Sequence, residues 1–240
     1  MLHRLLLVLL LMLPGLASAS LAAQRLQDIR LQAFAACSNL LAFYNPNQDE
    51  ADPRHLERYR QGFDGLQQLL AGQDDASLKE AAAEMRSVLE EIERVPAGQV
   101  ELYPERIIPL MKAHARLDHR AAELYAAAPA AEPRQLTLHR LSLDIERLLL
   151  LYQSRAFSLI GMYVLDVDDD TVPQLDGQIL QGFADLKAQW PERASELSKL
   201  KQSYDFVRPR LLQHDRAWVP GSAAYYLGQV TTRLAQLDAK

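Results

Sequence analysis

Residues 26–44 read LQDIRLQAFAACSNLLAFY, with apolar side chains recurring at Leu26, Ile29, Ala33, Ala36, Leu40 and Phe43. Steps of three and four residues place these side chains on one stripe of an α-helix, and no two-residue alternation of a half-buried strand competes with them. The stretch also holds Cys37, the only cysteine in the sequence. No internal disulfide can therefore form, and packing alone must hold the core. With Phe34, Ala36, Leu40 and Leu41 around it, Cys37 is expected to be a buried and unreactive thiol.

The same spacing returns at Leu141, Ile145, Leu148, Tyr152, Leu159 and Tyr163. Alanine, leucine, glutamine, glutamate and arginine dominate the chain and β-branched residues are scarce, which favours helix over strand throughout. Proline and glycine punctuation predicts helices near residues 21–44, 53–71, 75–95, 104–127, 134–165, 173–188, 191–208 and 221–238. Asp52 before Pro53 reads as an N-cap followed by proline at the first helical position, where the missing N–H costs nothing. The fold class is all-α.

The two halves align. An offset of 119 residues pairs Leu26 with Ile145, Ile29 with Leu148, Leu40 with Leu159 and Tyr44 with Tyr163. After a one-residue slip in a loop, an offset of 120 pairs Pro53 with Pro173 and Gln61-Gly62-Phe63 with Gln181-Gly182-Phe183. The expected organisation is a tandem duplication of helical-hairpin units, residues 20–128 and 134–240, forming one or two antiparallel bundles.

The first residues are expected to be a cleaved export signal. Arg4 supplies a positive n-region, residues 5–13 an apolar run, Pro14-Gly15 a helix break, and Ala17-Ser18-Ala19 a peptidase site. Nine apolar residues are too few for a spanning helix, which needs about 20. The chain is therefore expected in the periplasm, or secreted, after cleavage near Ala19. A formal charge of −5 argues against nucleic acid or anionic lipid as a partner.

Residues 63–72, FDGLQQLLAG, have the form F-x-x-L-x-x-L-x-x-G and follow an apolar helix and an acidic loop. That order resembles the periplasmic helical sensing module of type IV pilus chemoreceptors and nitrate-responsive sensor kinases, over residues 22–72 and more weakly 141–188. The resemblance implies an antiparallel bundle that binds small ligands or partners at helix interfaces. The arginine, methionine, leucine, serine and glutamine run of that family's first helix is matched only by Arg147, Gln153, Ser154 and Arg155.

Arg155 lies at helical spacing with Leu148, Tyr152 and Leu159, so it points toward the face expected to be buried. In the first half its counterpart is Ala36, and Gln153 and Ser154 correspond to Phe34 and Ala35. A buried guanidinium needs a carboxylate, carbonyl oxygens or a bound anion. The expected ligand site is thus an anion pocket built on Gln153, Ser154 and Arg155 and lined by Tyr152 and Tyr163. The plainer reading is a structural ion pair or an arginine that reaches water.

Other candidates are weaker. Residues 166–170, DVDDD, begin like a calcium loop, but Thr171 stands where the turn needs glycine and Gly177 where it needs glutamate. Helix capping explains those acids equally well. His114 and Asp118 share a helical face while His119 is rotated away, and no Glu-x-x-His pair accompanies them, so no metal site is expected. Tyr225 and Tyr226 belong to an aromatic cluster near the C-terminus. No cofactor and no convergent catalytic set is read from the sequence. The expected function is an exported, non-enzymatic binding or sensing module for a small anionic ligand or a membrane signalling partner. The alternative is a structural adaptor or scaffold of a cell-envelope assembly.

Overall fold

A computed structural model describes residues 2–48, 50–96, 99–129, 131–157, 167–213 and 219–238, with side chains from residue 21 onward (Val100 and Asp238 excepted). Its helices are α1 (Leu2–Phe43), α2 (Pro53–Ala71), α3 (Ala76–Glu93), α4 (Tyr103–Ala127), α5 (Pro133–Ser154), α6 (Thr171–Gln189), α7 (Ala194–Leu212) and α8 (Pro220–Asp238). Short 3-10 turns precede α4 and α7 and extend α5 to Phe157. Strands are absent among the described residues, so the all-α class stands. The part of the predicted fifth helix beyond Phe157 lies outside the described residues. Among them, no helix is long and apolar enough to cross a membrane.

Local chemistry accounts for the helix limits. Asp52 accepts a hydrogen bond from the Arg54 N–H at 2.9 Å ahead of Pro53, and Asp75 accepts one from Leu78 N–H at 3.0 Å. Each supplies a partner to an otherwise orphaned first-turn donor. The break expected at Pro14-Gly15 does not occur, because α1 is continuous from Leu2. Pro109 and Pro209 likewise sit inside α4 and α7. Each interior proline removes one N–H donor and crowds the carbonyl four residues earlier, a local cost of about 3 kcal/mol.

Helices α1 to α4 pack in cyclic order, α1 against α2 and α4 and α3 against α4, around one apolar core. Helices α5 to α8 close a second ring with its own core. The two four-helix bundles meet along α1 and α5. These two run parallel: Gln27 Nε2 donates to the His139 carbonyl at 2.8 Å, and a turn or two further on the Arg147 guanidinium lies 6.0 Å over the Phe34 ring. Leu143, Leu150 and Phe157 of the second half join the core of the first. At the start of this spine His139 is 2.8 Å from the Tyr125 hydroxyl through Nδ1 and 2.7 Å from Gln24 Oε1 through Nε2. One neutral tautomer satisfies both contacts: Tyr125 donates to Nδ1 and Nε2–H donates to Gln24.

Close approach of α1 and α2 depends on Gly62, where an added Cβ would lie 2.7 Å from the Ala36 Cβ. Gly228 on α8 has nothing within 4 Å of its would-be Cβ. The two glycines should respond oppositely to alanine. Gly62→Ala is expected to destabilise by about 1–3 kcal/mol through overpacking. Gly228→Ala should stabilise by about 0.5–1 kcal/mol through helix propensity, with urea denaturation as the measurement.

Candidate functional site

Helix α5 is enclosed by α1, α6 and α8, so polar side chains on most of its faces are buried. Ser142, Asp144, Glu146, Gln153 and Ser154 are all at most 3% exposed. Burial without a partner is expensive, so each such group should be matched or serve a ligand. The spine has two flanks, one covered by α4 and α6, the other by α2 and α8.

The first flank is an ion-pair junction. Arg30 on α1 donates to both carboxylate oxygens of Asp118 on α4, at 2.6 and 3.3 Å. Arg147 on α5 lies 3.5 Å from Asp118 and 4.0 Å from Asp144. Burial pushes the Asp118 carboxyl up, but the hydrogen bonds and charge of Arg30 outweigh it and leave it below the ordinary range. Asp144, whose Oδ2 has no partner, is raised by burial to about 6. His114 packs edge-on against Phe34 with ring centroids 4.5 Å apart. Neither of its ring nitrogens has a partner, and burial lowers it to about 4, so it is neutral. His119 is rotated outward and lies 3.2 Å from Glu123. Beside these groups a cavity of about 550 Å³ opens toward Gln174 and Gln178 of α6.

The second flank is an open cleft. Helices α1, α2, α5 and α8 enclose two contiguous lobes of about 530 and 770 Å³. Gln32, Ala35, Glu146, Thr231, Thr232 and Gln236 border both lobes and so mark where they join. Between Asn39 at one end and Arg25 at the other, α1 rises by about 21 Å. The walls are rich in amides, which both donate and accept. Among the described residues Glu146 is the one buried side chain there with an unmatched polar atom. Thr231 Oγ1 donates to its Oε1 at 2.7 Å, while Oε2 is buried and bonded to nothing. Burial raises its carboxyl to about 7, offset only in part by the Thr231 hydrogen bond.

The residues expected to form an anion pocket are distributed differently. Tyr152 and Gln153 secure the start of α8: the Tyr152 hydroxyl accepts from Val219 N–H at 2.9 Å, and Gln153 Nε2 donates to the Pro220 carbonyl at 2.9 Å. Ser154 donates to the Leu151 carbonyl at 2.8 Å. Arg155 is half-buried, 5.4 Å over the Tyr152 ring, and its Nη2 is buried with no hydrogen-bond partner. Burial lowers its pKa. Tyr163 lies outside the described residues, as do Asp166 and Trp218. None of the four described residues borders the cleft.

Asp168 accepts a 2.5 Å hydrogen bond from the Thr171 hydroxyl at the start of α6. Among the described residues no three His, Cys, Asp or Glu side chains converge as a metal site. Cys37 is fully buried and its thiol is pushed up by burial. Glu146 and Thr231 escape a reading by periodicity, although a carboxylate inside the run IERLLLLY (residues 145–152) is a signal of its own. No family model matches the chain, and no curated protein or solved structure matches it either.

Proposed function

We propose that the chain is an exported, non-enzymatic binding or sensing module that takes a small polar ligand in the cleft between its two bundles. The observation that carries this reading is Glu146: a buried carboxyl with one unmatched oxygen beside a cleft walled by amides. Such a group is costly in an unliganded fold and is stabilised by a ligand that completes its hydrogen bonds. Because both bundles contribute walls, occupancy bears on how they are set against each other, the differential contact that a sensor requires. The likeness to sensing modules and the leader-like residues 1–19 accord with an extracytoplasmic role.

The two bundles are read as copies of one ancestral unit. Their chain orders agree, and α2 and α6 lie on opposite sides of the spine, as a rotation about an axis along it would place them. An anion held at Arg155 is a second reading, favoured by the unpartnered Nη2. The adaptor reading is favoured by the apolar groove between α2 and α3, about 520 Å³, bordered by Phe63, Leu66, Leu70 and Ala82.

Thermal-shift screening of the full chain against organic cations, organic anions, sugars and amino acids tests the proposal, with Gly228→Leu and Arg155→Ala alongside. A ligand at about 100 times its dissociation constant stabilises the fold by about 2.7 kcal/mol. The shift should survive Arg155→Ala and vanish in Gly228→Leu, whose side chain enters open cleft space. A shift lost only in Arg155→Ala would move the site to Arg155.

A further inference from the structure

Glu146 also specifies the chemistry of the ligand, on the reading that the cleft is a binding site. Its side chain is 3% exposed and borders both lobes. The charged side chains that share the cleft are Arg25 and Asp28 from α1, Arg58 from α2 and Arg233 from α8. Among the described residues none of them forms an ion pair with Glu146. Arg25 donates to the Gly72 carbonyl at 3.2 Å, and Arg233 to Gln236 at 2.8 Å. On α5 itself the neighbouring Arg147 is turned to the other flank, toward Asp118. Among the described residues the carboxyl therefore has a hydroxyl on one oxygen and no ion pair.

We propose that the cleft binds an organic ammonium, a primary or secondary amine that donates its N–H groups to the free oxygen of Glu146. Against the ionised carboxylate a carboxylate, phosphate or carbonyl ligand sets acceptor against acceptor, with no gain on leaving water. A metal ion would lack a ligand set, since among the described residues no three His, Cys, Asp or Glu side chains converge. An ammonium supplies both charge and donors, the stronger class of hydrogen bond. The amide walls can accept any remaining N–H groups.

Proton linkage follows from the same group. Without ligand Glu146 holds its proton up to about pH 7. Pairing with an ammonium requires the carboxylate, so binding below that pH expels one proton from the protein. Affinity should then rise about tenfold per pH unit from about pH 5 to 7 and level off above.

The test is isothermal titration of the full chain with butylammonium and 1,4-diaminobutane, with tetramethylammonium, acetate and acetamide as controls. Runs near pH 6 in two buffers of different ionisation heat count the protons released. N–H-bearing ammonium ions are expected to bind, with tetramethylammonium silent, and with acetate and acetamide silent at pH 8, where Glu146 is ionised. Glu146→Gln should weaken the amine at least tenfold and abolish proton release, and Gly228→Leu should block it. Amine binding that is unchanged in Glu146→Gln, or absent up to about 10 mM, overturns the ammonium assignment. If an anion or sugar then binds and Gly228→Leu blocks it, the cleft reading stands and only the ligand class falls. If Gly228→Leu blocks none of the ligands that bind, both fall.

Discussion

Glu146→Gln is expected to gain stability over the parent chain by about 3 kcal/mol on going from pH 4 to pH 8. The native carboxyl is raised from 4.5 to about 7 by burial, so the folded state favours its protonated form. Between those two values the folded chain binds more protons than the unfolded one. The contribution of Glu146 is therefore complete below about pH 4.5 and is lost as pH rises through about 7. Glutamine is neutral at every pH and removes this loss. His114, lowered to about 4, and Asp144, raised to about 6, titrate in both proteins and cancel from the difference. Urea unfolding of both proteins at the two pH values measures it. A difference that does not change with pH would mean that Glu146 is ionised and matched in the native state.

Removing Asp118 should have the largest effect of opposite sign. Arg30 has a side chain only 7% exposed, and its guanidinium donates twice to Asp118. Arg147 leans on the same carboxylate from the second bundle. Asp118→Ala leaves Arg30 buried and unpaired, which is expected to cost about 3–5 kcal/mol. Replacing both partners, as in Arg30→Met with Asp118→Leu, should recover most of that loss, because no uncompensated charge remains. Since Asp118 titrates below the ordinary carboxylate range, its contribution is present above that range and is lost only as pH falls through its lowered pKa. Chemical denaturation at pH 7 decides the matter: a loss below about 1 kcal/mol would place Arg30 in water and remove the ion-pair junction between the bundles.

Both positions show how far sequence reading reaches here. The helical class follows from apolar spacing and composition, since an amphipathic stripe at 3.6-residue spacing has no other way to bury itself. Helix ends follow from short-range chemistry, as at Asp52-Pro53, whose cap bond needs only a neighbouring N–H. The shared face of His114 and Asp118, with His119 turned outward, needs only helical geometry.

Assembly is another matter. In the aligned halves Gly62 corresponds to Gly182, yet Gly62 sits on Ala36 while Gly182 sits on Leu141. With an offset of 119 residues Leu141 corresponds to Ala22, about four helical turns from Ala36. The height at which two helices meet depends on which small residue admits which neighbour, a match between distant positions that periodicity does not encode. The same holds for Gln153, whose partner is the Pro220 carbonyl 67 residues away.

By itself the sequence determined that this chain is helical, where most of its helices begin and end, and that its one thiol is buried, because those properties rest on neighbours within a few turns. Only the tertiary structure decided that α5 becomes a shared spine, that Arg30 and Asp118 join across 88 residues, and that Glu146 is left with a free oxygen beside a cleft. Those properties depend on what each helix is packed against, and burial by a distant partner is what turns an ordinary carboxyl into a candidate ligand site.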